Sequence, residues 1–98
     1  MKAIYKFHLD CGRMGELHGV FSCEKSELES LYGETIYFGE ILGKHSEVYT
    51  VLEEKHIIEV TDDVNFIKLF DEYDLSSGYN PIDYYEEEWE DEEDEDEN

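Results

Sequence analysis

KAIYKFHLDCGRMGELHGVFSC, Lys2 to Cys23, is the stretch that decides the fold. In its first half Ala3, Tyr5, Phe7 and Leu9 alternate with Ile4, Lys6 and His8, the two-residue period of a half-buried strand. Glu16 to Cys23 behaves likewise, and Gly12 and Gly15 supply the turn between them. Centring that turn on Arg13 sets Leu9 against Leu17, Phe7 against Gly19 and Tyr5 against Phe21, so both strands offer their apolar side chains to one face. Gly19 opposite Phe7 is expected to leave room for the ring.

Outward from this hairpin, Ser22 or Cys23 is expected to open a short helix, EKSELESLY, with Leu28 and Leu31 three apart and Gly33 as its stop. Glu34 to Leu42 and Glu47 to Leu52 form a second hairpin around Gly43-Lys44-His45-Ser46, and His56 to Val60 adds a further strand. Thr61 serves as the cap of a second helix, whose apolar stripe is Val64, Ile67 and Phe70 and which runs to about Asp74 before Ser76-Ser77-Gly78 breaks it. The expected class is α+β, an antiparallel sheet of four to five strands with two short helices in the order ββαββ(β)α and an acidic C-terminal tail. Residues 1–78 form the domain, and residues 79–98 form an aromatic and acidic strap and tail.

The outward side of the first hairpin brings His8 and His18 face to face. With Cys11 and Cys23 they resemble a zinc ligand set. Cys23 lies five residues beyond His18, roughly 16 Å along a strand, so one ion cannot hold all four. A two-histidine site with Cys11 stays open, beside the plainer expectation of a solvent-facing histidine pair without metal or cofactor. Asp10, Arg13 and Glu16 surround the first turn and His45 and Glu47 the second. Yet the chain has no Ser/His/Asp order, no metalloprotease helix motif, no glycine-rich phosphate loop and no Cys-x-x-Cys. A non-enzyme is expected. Tyr32, Tyr37, Phe38 and Tyr49 put more aromatic surface on the middle strands than one sheet face needs, and a partner or a second copy of the chain is one expected cover for it.

Charge narrows the partners. The 98 residues carry 28 acids against seven lysines and arginines, a net charge of −21. Direct binding to nucleic acid or to an anionic membrane is opposed, because both require a basic patch and the bases here are scattered singly. With no long apolar run and no signal-peptide pattern at the start, a cytoplasmic protein is expected. Eleven of the thirteen residues from Glu86 to Asn98 are acidic. A helix with about 1.5 Å rise would space these carboxylates roughly 1.6 Å apart, near the roughly 1.7 Å per charge of duplex DNA; an extended chain would give roughly 3.6 Å, near the roughly 3.4 Å of one strand. Just ahead, Asn80 suits a cap and Pro81 a first helical position, with Ile82, Tyr85 and Trp89 at i, i+3 and i+7. This segment either packs back on the domain or forms an amphipathic docking helix flanked by acids. The candidate partner-binding residues are therefore Tyr79, Tyr84, Tyr85, Glu86, Glu87, Glu88, Trp89, Glu90, Asp91, Glu92 and Glu93.

By size and charge across its whole length, the chain resembles the acidic DNA-mimic inhibitors, small proteins often encoded by phages that block restriction, repair or CRISPR-type nucleases. YFGEILGKHSEV (Tyr37 to Val48) and GYNPIDY (Gly78 to Tyr84) are similar to stretches of small uncharacterised phage and bacterial proteins. The resemblance implies a non-enzymatic inhibitor that binds a basic nucleic-acid-binding protein of a host or defence system, in the host cytoplasm. The alternative expectation is a structural or adaptor module that binds through its aromatic sheet, the tail only keeping it soluble.

Overall fold

In a computed structural model that describes residues 1–43 and 47–85, the first hairpin forms as its alternation requires. β1 (Lys2–Asp10) and β2 (Glu16–Glu24) pair antiparallel along their whole length, with Leu9 on Leu17, His8 on His18, Phe7 on Gly19 and Tyr5 on Phe21. A one-residue slip of either strand would turn its inward set, Tyr5, Phe7 and Leu9 or Leu17 and Phe21, away from the main core, which is why this register is strongly specified. The turn is a single 3-10 turn over Gly12–Met14, closed by the Cys11 N–H donating to the Gly15 carbonyl at 2.8 Å.

The class is α+β, and its strands divide between two sheets. β5 (Ile57–Thr61) pairs with the outer edge of β1 and β6 (Ser77–Gly78) with β2, giving a four-stranded antiparallel sheet in the order β5-β1-β2-β6. The second hairpin, β3 (Thr35–Gly39) and β4 (Val48–Val51), is a separate two-stranded sheet. It lies across the inner face of the first, where Ile36, Phe38 and Val48 join Tyr5, Phe7, Leu17 and Phe21 in the main core. Phe38 stacks on Phe7 with ring centroids 5.7 Å apart. Tyr37, Tyr49 and Val51 alternate with these buried positions and stay exposed.

Three short helices complete the described residues. α1 (Lys25–Glu29) starts later than expected, because Ser22 and Cys23 remain in β2; the Ser22 hydroxyl donates to the Asp71 carboxylate instead of capping. Leu28 is its buried residue. α2 (Val64–Glu72) is capped by Asp63, whose side chain accepts from the Asn65 N–H at 3.2 Å; Thr61 belongs to β5, and its hydroxyl accepts from the Asp63 N–H. Ile67 and Phe70 pack on Ile4 and Val20, on the opposite face of the sheet from the main core. The helix ends before Ser76: Asp74 turns left-handed at φ 53°, and the Leu75 N–H donates back to the Phe70 carbonyl at 3.0 Å. α3 (Pro81–Tyr84) is one turn long, with the Asn80 side chain accepting from the Ile82 N–H at 3.0 Å.

Candidate functional site

Of the partner-binding candidates, Tyr79, Tyr84 and Tyr85 fall within the described residues and are packed against the main core; Glu86, Glu87, Glu88, Trp89, Glu90, Asp91, Glu92 and Glu93 lie outside them. Tyr84 meets Phe38 at 4.9 Å between ring centroids, and Tyr79 meets Phe38 edge-on at 6.3 Å and Tyr84 at 6.0 Å. Pro81 is buried beneath them and Ile82 packs on the same core. The helix stops at Tyr84, because Tyr85 adopts an extended conformation, ψ 128°. Ile82 and Tyr85 thus serve to fasten the strap to the domain.

The strap is placed by a backbone-to-backbone approach. The Tyr79 N–H donates to the His18 carbonyl at 2.9 Å, and Gly19 and Gly78 are opposed where β2 meets β6. A Cβ on Gly19 would stand 1.9 Å from the Tyr79 carbonyl oxygen. The space beside Gly19 is therefore taken by the strap's main chain, a reason for glycine that pairing with Phe7 alone does not reveal.

Where α1 faces the start of β5, at the other edge of the four-stranded sheet, carboxylates converge. Glu29, Glu54 and Glu59 border a groove of about 610 Å³ floored by Tyr5, Leu28, Tyr32 and Ile57. Burial, followed by the Glu54 and Glu29 charges, pushes the Tyr32 phenol up, and burial is also the main reason Tyr5 rises to about 12. Lys25 stands at the rim, 3.6 Å from Glu59 and 3.5 Å from Asp62. Apart from Lys25, this groove presents negative charge over an aromatic floor, which suits an incoming Lys or Arg side chain. The signal in the sequence was too diffuse to find it, since residues 29, 54 and 59 come from three separate elements.

The histidine pair is where the register set it, and the fold adds a third group. Glu16 Oε1 lies 3.2 Å from His8 Nε2 and 3.1 Å from His18 Nε2, with the imidazole centroids 4.9 Å apart. Cys11, considered beside them from sequence, instead packs against the main core, and burial raises its thiol. Cys23 is buried and pushed up to about 12. Both cysteines are free, and thiols so raised are poor nucleophiles at neutral pH.

No helix among the described residues is long and apolar enough to cross a membrane. Comparison with known proteins finds no family model, no curated protein and no solved structure that matches this chain, so its function has to be read from its own surface.

Proposed function

We propose that this chain is a non-enzymatic acidic inhibitor that occupies the basic nucleic-acid-binding site of another protein, a nuclease, repair or defence protein, by presenting carboxylates where DNA presents phosphates. The observation that carries this reading is the net charge of −21 on 98 residues. The bases do little to relieve it. Of the six described lysines and arginines, Lys2, Lys25 and Lys55 are already paired with carboxylates. Such a field steers a basic partner from a distance and repels nucleic acid itself. Glu29 and Glu54, at the groove where Glu59 is already paired with Lys25, offer a local seat for a cationic side chain, and the spacing of acids in Glu86 to Glu97 supports charge matching along a channel.

The test is capture from lysate on the immobilised full chain, compared with a chain ending at Tyr85, with duplex DNA then added as competitor. The captured proteins should be released by DNA and by salt, since screening shortens the reach of charge to about 8 Å at physiological ionic strength. Partners that resist both, and that bind the shortened chain equally well, would refute charge mimicry. One observation favours a second reading in that event. Tyr37 and Tyr49 face each other across β3 and β4 with ring centroids 6.4 Å apart, and are 50% and 63% exposed, an aromatic patch suited to a salt-insensitive adaptor contact or a second copy.

A further inference from the structure

The outer side of the first hairpin carries a constellation that charge mimicry does not use. His8 and His18 are directly opposed, and Glu16, two residues before His18, projects to the same side because strand side chains alternate. One carboxylate oxygen, Glu16 Oε1, sits within 3.2 Å of both imidazole Nε2 atoms, and the three ligand atoms all lie within 4.8 Å of one another. We propose that His8, Glu16 and His18 bind a divalent transition-metal ion of the zinc type, with a fourth position open to water.

Zinc bonds of about 2.0–2.1 Å at tetrahedral angles put neighbouring ligand atoms roughly 3.3 Å apart. The two Glu16 edges, 3.1 and 3.2 Å, are close to that already, and the histidine-histidine edge lies within 4.8 Å, so ion entry needs the two exposed imidazoles to close toward each other by side-chain rotation. Two imidazoles and one carboxylate suit zinc and its neighbours cobalt, nickel and copper. Magnesium and calcium prefer all-oxygen sets, which distinguishes this site from the acid-rich tail. Three protein ligands leave the ion unsaturated, as in open rather than closed zinc sites. The supporting backbone is held in place, because β1 and β2 are paired through this region and the neighbouring Asp10 carboxylate accepts from the Gly12 N–H at 2.8 Å. Both imidazoles share the single oxygen Glu16 Oε1, and about half or more of each ring faces water, which competes for those bonds. The chain's overall negative charge favours a dication in place of that arrangement.

The experiment is calorimetric titration of zinc into the full chain, repeated with the double variant H8Q/H18Q and with E16Q, in excess magnesium to fill nonspecific carboxylate sites. The wild type should take up one zinc that the double variant does not. E16Q should weaken that site by at least tenfold, since even outer-shell partners of metal ligands are worth roughly 10–100-fold. In the wild type, zinc and not calcium should shift the ring nitrogen resonances of His8 and His18. All three side chains are exposed, so the substitutions leave the core intact. An isotherm unchanged in the double variant, or ring resonances unmoved at saturating zinc, would overturn the site. Either result leaves the charge-mimic reading untouched, because that reading rests on the net charge of the whole chain and not on metal uptake.

Discussion

Gly19→Ala is the most demanding test of how the strap is held. The added Cβ would stand 1.9 Å from the Tyr79 carbonyl oxygen and 2.8 Å from the Tyr79 nitrogen and carbonyl carbon. Real Cβ atoms do not approach within 3.0 Å of such neighbours, so the strands must separate by about an ångström or more. The obstacle is backbone, which cannot rotate aside as a side-chain tip can. Overpacking of a fixed site costs about 1–3 kcal/mol, and this geometry belongs at the upper end. At about 4–8 °C per kcal/mol for a domain of this size, a loss of about 3 kcal/mol lowers the melting temperature by roughly 12–24 °C. Amide exchange gives the local readout. The Tyr79 N–H, bound to the His18 carbonyl at 2.9 Å, should lose protection before the amides of the β1–β2 ladder do. Gly33→Ala is the control: its Cβ meets nothing within 4 Å, but φ of +92° makes any side chain strained, so it should cost only about 1–2 kcal/mol and leave Tyr79 protected. A Gly19→Ala protein that melts like the wild type, with Tyr79 still protected, would refute the claim that main-chain contact seats the strap.

Two further outcomes follow from groups on other elements. His56 is buried, burial lowers its pKa from the usual 6.5, and the Glu53 N–H donates to its Nδ1 at 3.1 Å, a bond that requires Nδ1 to be unprotonated. The unfolded chain therefore binds this proton more readily, so the stability contributed by neutral His56 is fully present above about pH 6.5 and is lost as pH falls through the lower folded value. Thermal melts from about pH 7 to pH 5 should show a smaller acid-induced loss in His56→Asn than in the wild type; equal slopes would refute the assignment. Asp74 holds a left-handed conformation at φ 53°, where glycine is free of the Cβ penalty, so Asp74→Gly should raise stability by about 0.5–1 kcal/mol in denaturant titrations. A lower midpoint would mean that the Asp74 side chain contributes something the backbone argument omits.

Local pattern decided much of this molecule, for identifiable reasons. The alternation from Lys2 to Leu9 and from Glu16 to Cys23 has one register that buries Tyr5, Phe7, Leu17 and Phe21 together, and the hairpin adopts it residue for residue. Asn80-Pro81 was legible as a helix start because both residues act within one turn. Helix ends were less so. Cys23 and Glu24 stay in β2 because Lys2 and Ala3 are there to pair with them, and Asp63 caps α2 because Thr61 is held by β5.

The sequence by itself determined the class, the first hairpin and its facing histidines, and the sign of the charge, all of which depend on residues near one another in the chain or on composition. Tertiary structure alone decided that the second hairpin forms its own sheet, that Tyr79 and Tyr84 close over Phe38, that Glu29, Glu54 and Glu59 border one groove, and that Glu16 reaches both imidazoles. These depend on which surfaces meet when the layers pack and on where side chains then point. Periodicity along the chain says which face of an element is apolar, but carries no information about what that face will touch.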